Sequence, residues 1–480
     1  MTVRLIDLKK KLLKSNVIKA GFGYTIGNIL IKGINFITLP IFSRILTTDE
    51  FGVYNIFLSY EAILFVVIGL ALHSSIQSAN VEFKGKIDQY VSSVSIIYGI
   101  NFTLFLIIAL LLSTPLCGWL DISENVLICL VLYSCSTALI SYYNSVVSLK
   151  YEYKKYLFVS LFNSLGNVVF SLILMFTLLS SEKDVGRVVG VTINGTLLMV
   201  FILVSFYRKA KPRFNEKYWN FAVRYSLPIV PHGLSQVVLG QSDRIMIRKF
   251  VGDASVGIYS LAGNIQLILN IITTSISTVW TTWFYSNMEK QRYDLIRNRA
   301  CLVSKVFLGL SIGLMAISPE LVLFLGGKNY DSAKYVSIPI IVVSFVIFLY
   351  NVIVPCEYYK KKTVYVMTGT MIAAVINVIT NYIFIKRYGF YAAAYTTLFS
   401  YCMYLVLHIV IAYRLVGFYV LPLKQIALML ALAFGIGIFD LCFVDNIIVR
   451  WSVCFVVLGI FGLHLYDGYK KDTINESKTE

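Results

Sequence analysis

Long, continuous runs of apolar residues separated by short polar connections make up almost the whole chain. A helix that crosses a bilayer needs about 20 such residues, so the length of the runs predicts membrane-spanning helices. A transmembrane β-barrel would instead show strands of alternating apolar and polar residues. We predict an all-α polytopic membrane protein of about 14 transmembrane helices, at residues 20–43, 55–78, 91–113, 125–147, 157–179, 185–206, 223–246, 259–284, 300–325, 335–357, 364–385, 391–413, 422–441 and 446–466.

The composition agrees with this pattern. Of the 480 residues, 58% are hydrophobic and 14% are charged, and the mean hydropathy is +0.76. A soluble domain is about 25% charged, so the composition excludes a soluble enzyme. Every connection is too short to fold as a separate soluble domain, and we therefore expect the function to be carried out within the membrane.

The net charge of +17 takes its meaning from where the basic residues lie. Counted with the adjoining span ends, one set of alternate connections carries 29 of the 42 Lys and Arg residues. The other set, which includes Arg187, Arg244 and Arg450, carries 11, while Lys32 and Lys305 fall deeper inside predicted spans. Basic residues concentrate in cytoplasmic loops, so the asymmetry predicts an even number of spans with both termini in the cytoplasm. It also explains the charge without a nucleic-acid partner.

A weak internal repeat recurs at an offset of about 205 residues. Four matches keep the same order in both halves: Gly52-Val53-Tyr54 with Gly257-Ile258-Tyr259, Pro115 with Pro319, Tyr151–Lys155 with Glu357–Lys361, and Tyr207-Arg208 with Tyr413-Arg414. The offset contains six predicted spans, and an even number keeps both halves in the same orientation, as in parallel repeats. We predict a six-helix bundle at 1–206, a basic cytoplasmic linker at 207–222, a second six-helix bundle at 223–414, helices 13 and 14 at 415–466, and a cytoplasmic tail at 467–480.

Several segments resemble the Wzx-type polysaccharide and O-antigen flippases of the multidrug/oligosaccharidyl-lipid/polysaccharide exporter superfamily. They are Arg44–Tyr54, Ser226–Pro228, Ser242–Ile247, Ser318–Gly327 and Tyr388–Phe390. The resemblance covers nearly the whole chain and implies two six-helix bundles with two further helices. It does not specify the glycan that is carried.

The resemblance also implies a function. Flippases of this kind translocate an undecaprenyl-pyrophosphate-linked oligosaccharide across the bacterial cytoplasmic (inner) membrane for O-antigen or capsular polysaccharide assembly, by alternating access. The expected partners are this lipid-linked glycan, membrane lipids and the polysaccharide polymerase machinery. No cofactor is expected, and H⁺ and Na⁺ are the candidate coupling ions.

Charged residues inside the predicted spans are candidates for the substrate cavity, because a charge at mid-bilayer costs about 2.5–3.5 kcal/mol. Lys32 and Glu61 lie near the middle of the first and second spans, and the alternative is that they pair with each other. Asp243 and Arg244 lie near the outer end of the seventh span, where a structural ion pair is the alternative. Lys32 and Arg244 are the cations that we expect to face the cargo pyrophosphate.

Four further residues complete the prediction. Arg44 and Arg248 are cavity candidates near the outer face, and Pro228 and Pro231 are hinge candidates, since proline removes a helical hydrogen bond. The four histidines and eight cysteines show no metal-ligand spacing, so no metal site is predicted. No catalytic set is recognised either.

Some charged residues are given a structural interpretation instead. We predict that Glu357 forms a loop ion pair beside Lys360–Lys362, and that His408 is a satisfied buried histidine. Glu320 and Asp440 lie near the outer face and are weak functional candidates. Cys117 and Cys442 lie near one membrane face, where a disulfide between them is the alternative to two free thiols.

Two other functions compete with the flippase. A cation-coupled multidrug exporter of the same superfamily would favour acidic cavity residues, whereas the charge here is predominantly basic. A polysaccharide polymerase or membrane acyltransferase would need catalytic residues, and a polymerase would need a sizeable external loop. Because every predicted external loop is short and no paired carboxylates for glycosyl chemistry are evident, we predict that the chain is not an enzyme.

Overall fold

The structure is a computed structural model that describes residues 16–476, except for the side chains of residues 16–22, 25, 26, 28, 29, 461 and 463–476. Within that range all regular structure is helical, which confirms the all-α prediction. In chain order the helices are α1 (Asn16–Ile45), α2 (Thr48–Gly69), α3 (Ile76–Glu82), α4 (Ile87–Leu111), α5 (Ser113–Leu120), α6 (Glu124–Leu149), α7 (Tyr153–Phe176), α8 (Lys183–Lys209), α9 (Glu216–Ser226), α10 (Val230–Phe250), α11 (Asp253–Glu289), α12 (Tyr293–Gly326), α13 (Lys334–Ile353), α14 (Pro355–Tyr359), α15 (Thr363–Tyr388), α16 (Tyr391–Val416), α17 (Leu423–Cys442) and α18 (Ile447–Glu476).

Each predicted span overlaps a helix, although the span 55–78 extends beyond the end of α2 and the span 223–246 is divided between α9 and α10. Among the described residues, 11 helical segments are long and apolar enough to cross a membrane. The other three predicted spans fall on α1, α10 and α18. The protein is therefore a multi-pass membrane protein.

The described chain divides into two compact units. The N-terminal unit contains residues 16–46 and 53–241, and the C-terminal unit contains residues 47–52 and 242–476. The exchange near residue 241 lies inside α10, and α9 occupies part of the predicted linker 207–222. The predicted bundle limits stay a prediction, because the division into compact units falls inside the continuous helix α10 and so does not mark the end of a bundle.

Helix α6 forms the centre of the N-terminal unit, since 72% of its most apolar window is buried, against 17% for α7. Aromatic side chains fill the core on one side of it. Tyr142 lies 5.3 Å from the ring of Tyr98 and 5.9 Å from that of Phe206, and its hydroxyl donates to the Val91 carbonyl at 3.4 Å.

The corresponding centre of the C-terminal unit is the segment Lys328–Tyr359, which includes α13 and α14 and has 83% of its window buried. Phe307 of α12 stacks on Phe348 of α13 with ring centroids 3.9 Å apart. Burial on this scale explains why the segment is the most apolar of the candidate spans.

Two glycines permit a close crossing within the C-terminal unit. A Cβ atom on Gly52 would clash with the backbone carbonyl of Asp253, and one on Gly257 would clash with that of Thr48. Small residues allow membrane helices to approach this closely. Gly52 and Gly257 are equivalent under the predicted repeat, so two repeat-related glycines meet at the same helix crossing.

The helix bounds locate the repeat more accurately than the sequence matches do. Helices α4 and α5 together (87–120) correspond to α12 (293–326) at an offset of 206 residues, whereas α6 (124–149) corresponds to α13 and α14 (334–359) at an offset of 210. The offset increases because the connection between α12 and α13, which contains the 3-10 helix Lys328–Ala333, is longer than the connection between α5 and α6. The match of Tyr151 with Glu357 was therefore misaligned, because the left-handed turn at Tyr151 recurs at Lys361.

Candidate functional site

A cavity of about 670 Å³ lies within the N-terminal unit. It is bounded by α1, the 3-10 turn Leu72–Ser75, α3, α6 and α7. Its lining is dominated by hydroxyl, amide and aromatic groups, and comprises Tyr24, His73, Ser74, Gln77, Thr137, Ile140, Ser141, Asn144, Ser145, Ser148, Tyr156 and Asn163. These residues include no Asp, Glu, Lys or Arg, so the wall is polar without being charged.

The polar wall is built mainly by one face of α6. Thr137, Ser141, Ser145 and Ser148 follow one another at helical spacings of three or four residues, and Asn144 lies four residues before Ser148, which places all five on a single face. The side-chain oxygen of Asn144 is buried and has no hydrogen-bond partner among the described residues. A buried polar atom of this kind is normally satisfied, so Asn144 offers an acceptor to whatever occupies the cavity.

Two tyrosines close another side of the cavity. The Tyr24 hydroxyl donates to the Val147 carbonyl at 3.1 Å, which ties α1 to α6. The Tyr24 ring meets that of Tyr156 edge-on, with centroids 5.0 Å apart. These contacts fix two aromatic faces in a wall that is otherwise made of small polar residues.

Glu61 lies directly behind this wall. Its carboxylate accepts a hydrogen bond from the Thr137 hydroxyl at 2.5 Å, and Thr137 itself lines the cavity. Lys32 is half-buried on α1, and no ion pair between Lys32 and Glu61 is present among the described side chains. The alternative interpretation, an ion pair between Lys32 and Glu61, is therefore wrong for the described side chains.

Arg187 is a buried cation that the sequence analysis assigned to an external connection. Its side chain lies on α8 in the N-terminal unit, only 9% exposed. The guanidinium stacks over the Phe42 ring at 3.3 Å and the Tyr54 ring at 4.7 Å, and it donates to the Asn167 carbonyl at 3.4 Å. Aromatic faces thus stabilise this charge.

Asp243 forms the centre of a buried polar network in the C-terminal unit, and it is only 4% exposed. Its carboxylate accepts hydrogen bonds from the hydroxyls of Tyr259 at 2.6 Å and Thr397 at 2.8 Å, and from the Asn381 amide at 2.6 Å. Asn377 extends the network by donating to the Thr397 hydroxyl at 3.1 Å. The site therefore gathers two hydroxyl groups and an amide NH₂ around one carboxylate, and its four residues lie on α10, α11, α16 and α15.

The three candidate arginines have different environments. Arg244 is half-buried, donates from Nε to the Ser260 hydroxyl at 3.0 Å, and lies 6.0 Å from the Tyr259 ring centroid. Arg248 forms an ion pair with Asp253 at 3.0 Å, while Arg44 is exposed near the end of α1. Arg248 is thus already paired with a carboxylate.

The two hinge candidates lie where a 3-10 segment interrupts the predicted seventh span. The predicted span at 223–246 is divided between α9 and α10 by the 3-10 helix Leu227–Ile229, which contains Pro228. Pro231 is the second residue of α10. A proline cannot donate to the preceding turn, and a 3-10 segment within a long helix often marks a hinge.

The prediction for Glu357 was wrong. Its side chain is completely buried, and Oε1 lies 2.5 Å from Nδ1 of His408, which is also completely buried. The rings of Tyr350 and Tyr404 lie 4.9 Å and 4.4 Å from the imidazole. Glu357 therefore faces the interior of the C-terminal unit. His408 is buried as expected, but only its Nδ1 has a partner, while Nε2 has none among the described residues.

A second ion pair joins α12 to α18, with a buried arginine and a half-buried glutamate. Arg450, another residue assigned to an external connection, is 2% exposed. Its guanidinium donates to the Glu320 carboxylate at 2.5 Å and to the Ala316 carbonyl. Glu320 is therefore a structural partner of Arg450.

The described residues contain no group of three or more His, Cys, Asp or Glu side chains that is suited to a metal ion. All eight cysteines, including Cys117 and Cys442, are free thiols. The disulfide considered from the sequence is therefore absent from the structure.

Solved structures with a similar fold include a lipid flippase and a multidrug transporter. A lipid II flippase, MurJ, in an inward closed conformation is similar with a TM-score of 0.75 at 16% identity, over 94% of this chain and 99% of that one. An inward-facing multidrug resistance transporter of the MATE family and MOP superfamily has a TM-score of 0.63 at 12% identity, over 82% and 98%. At these identities the likeness establishes the fold.

Sequence comparison identifies the family. A protein named for the Lsg locus of Haemophilus influenzae is 22% identical over 381 residues, which is 77% of this chain and 90% of that protein. An uncharacterized membrane protein of the same organism is 23% identical over 361 residues, or 72% and 85%. Residues 17–288 match the profile of the family described as polysaccharide biosynthesis protein. Because this match covers more than half of the chain, the chain belongs to the polysaccharide biosynthesis protein family.

Proposed function

We propose that the chain is a flippase that translocates an undecaprenyl-pyrophosphate-linked oligosaccharide repeat unit across the bacterial cytoplasmic membrane by alternating access. The product would serve O-antigen or capsular polysaccharide assembly, with a polysaccharide polymerase as the protein that receives it. Both termini are proposed to be cytoplasmic, and the chain acts as a transporter and not as an enzyme. Membership of the polysaccharide biosynthesis family and the fold shared with a lipid II flippase support this proposal.

The observation that carries the proposal is the neutral polar cavity of the N-terminal unit. A sugar presents many hydroxyl groups, and each one that enters an apolar bundle without a partner costs several kcal/mol, on the order of 2–7. Hydroxyl and amide side chains such as Asn144 and Ser145 replace the lost water, and the tyrosine rings offer faces for sugar C–H groups. A drug exporter that recognises cations would favour acidic groups, which the lining does not contain.

The pyrophosphate requires a different environment. Lys32 and Arg244 are proposed to provide positive charge on the transport path, with Arg44 and Arg248 as auxiliary cations. Both principal cations are half-buried, where their interaction with a phosphate is screened less than at the surface. Glu61 and Asp243 are proposed to prevent these cations from holding the cargo too tightly.

We propose that Asp243 is also the site of the coupling cation, H⁺ or Na⁺. Its carboxylate accepts hydrogen bonds from two hydroxyl groups and one amide nitrogen, contributed by three further helices. A proton would neutralise the carboxylate, while Na⁺ would use the carboxylate and hydroxyl oxygens as ligands. In either case, binding would change the hydrogen bonds that join α10 to α15 and α16.

Complementation of a flippase-null strain tests the proposal, with surface glycan measured at matched membrane expression. Asn144→Leu keeps the size of the side chain but removes its hydrogen bonds, and we expect less surface glycan. Asn144→Gln and Ile140→Val are the controls, since the first keeps an amide and the second changes only an apolar part of the same wall. Failure of the wild-type chain to restore any glycan would refute the flippase assignment.

The same assay tests the cations. Lys32→Ala and Arg244→Ala are expected to lose surface glycan, and Lys32→Arg is expected to restore it because the charge is kept. Wild-type glycan in both alanine variants would exclude the electrostatic role. Equal loss in all three variants would assign Lys32 to packing.

A further inference from the structure

A second polar cavity, of about 610 Å³, lies in the N-terminal unit at the ends of α4 and α8. It opens between the turn before α4 and the extended segment that joins α8 to α9. The charge asymmetry of the sequence places this end of the unit on the predicted cytoplasmic side. Its lining shares no residue with the cavity proposed for the glycan. None of its residues has a part in the proposed transport path.

Four cations line this cavity: Lys86, Lys209, Lys211 and Arg213. Among the described residues, none of the four forms an ion pair or a side-chain hydrogen bond. The single acidic residue of the lining is Asp88, and its carboxylate is held by Lys150 at 2.5 Å. The lining thus holds four cations and one acid, and that acid already has an ion-pair partner outside the lining.

The floor of the cavity is rigid. Tyr218 is 7% exposed, and its ring packs against those of Phe83 at 4.8 Å and Tyr90 at 5.6 Å. Its backbone N–H donates to the side-chain oxygen of Asn215, which caps α9 at 3.2 Å. Flexible cationic side chains therefore project around a floor that is fixed by aromatic packing.

We propose that this cavity binds a phosphate group, as part of either an anionic lipid headgroup or a soluble phosphate compound. A volume of 610 Å³ is about twenty times that of a water molecule, and falls within the usual range of ligand pockets. Basic pockets between membrane helices on the cytoplasmic side are suited to phosphate headgroups. The predicted cytoplasmic end of the unit is where such a headgroup would be found, which makes the lipid the expected source.

The test uses the purified full chain and a neutralising variant, Lys209→Gln with Lys211→Gln and Arg213→Gln. A matched control removes the same number of charges from another basic connection, with Lys360→Gln, Lys361→Gln and Lys362→Gln. Native mass spectrometry measures retained phosphatidylglycerol against phosphatidylcholine, and calorimetry measures binding of inorganic pyrophosphate. Each basic residue near such a group contributes about fivefold, so the neutralising variant should bind on the order of a hundredfold more weakly.

The outcomes identify the source as well as the site. Selective loss of phosphatidylglycerol in the neutralising variant alone assigns a lipid headgroup, and selective loss of pyrophosphate alone assigns a soluble ligand. Equal binding by the wild type and the neutralising variant overturns the proposal. Equal loss in both triple variants overturns it too, because the effect would then follow total charge. None of these measurements depends on transport, so the result is independent of the proposed flippase function.

Discussion

The buried pair of Glu357 and His408 allows a quantitative test of how the C-terminal unit is stabilised. Both side chains are completely buried and lie 2.5 Å apart. The second carboxylate oxygen of Glu357 and Nε2 of His408 have no hydrogen-bond partner among the described residues. Each residue therefore depends on the other for the hydrogen bond that compensates its burial.

This geometry sets the expected magnitude. Removing one member of a buried pair costs about 3–5 kcal/mol, because the remaining group stays buried without compensation. Little relief is available from the neighbours, since the nearby Tyr404 hydroxyl already forms a hydrogen bond with Thr370 at 3.1 Å. We expect Glu357→Leu and His408→Leu each to lower the free energy of unfolding by that amount.

The double variant should behave differently. Replacement of both members by apolar residues of similar volume is often neutral or stabilising. We therefore expect Glu357→Leu with His408→Leu to lie within about 1 kcal/mol of the wild type. The two changes would then be strongly non-additive, as expected for residues in direct contact.

Unfolding of the purified chain in mixed micelles by increasing SDS, followed by tryptophan fluorescence, measures these free energies. Lys155 and Glu152 provide the matched control, as they form an ion pair of 2.8 Å with side chains that are 53% and 29% exposed. Breaking that pair should cost less than about 1 kcal/mol. If the single changes at Glu357 and His408 cost no more than the control and add in the double variant, the reasoning is refuted.

Two further predictions concern coupling and topology. Asp243→Asn should abolish the dependence of transport on an imposed H⁺ or Na⁺ gradient while surface expression is kept, measured by glycan export in vesicles; unchanged gradient dependence would exclude Asp243 as the coupling site. In a chain whose eight native cysteines are replaced by alanine, Lys154→Cys and Lys360→Cys should be shielded from an impermeant thiol reagent in intact cells, and Lys328→Cys should be labelled. Opposite results at Lys154 and Lys360 would contradict the parallel repeat.

The helices were predictable because hydropathy over about 20 residues reports membrane insertion directly. The polar cavity was not predicted, although its signal is present in the sequence. Thr137, Ser141, Asn144, Ser145 and Ser148 form a polar stripe of helical period within an otherwise apolar span. Search for such a stripe, in addition to charges, would have identified this wall.

Two buried arginines show why the side of the membrane assigned to a charge does not predict its burial. Arg187 and Arg450 lie only two and four residues inside their predicted spans, so they were counted with the external loops. Both side chains are nevertheless buried, because aromatic rings and a carboxylate compensate them. Glu357 was misread for the same reason, since its proximity to Lys360 in sequence says nothing about which way a helical side chain faces.

The repeat gives the two halves the same order of helices but not the same interior. In the C-terminal unit, buried charges form pairs such as Glu357 with His408 and Glu320 with Arg450. In the N-terminal unit, the cavity wall is neutral and Glu61 is set behind it. A neutral wall can exchange hydrogen bonds between water and sugar at little net cost. A buried carboxylate such as Asp243 instead needs hydrogen bonds or a bound cation to compensate its charge. This difference supports the proposal that the first unit holds the glycan and the second holds the coupling cation, although the repeat predicts the same six-helix order in both.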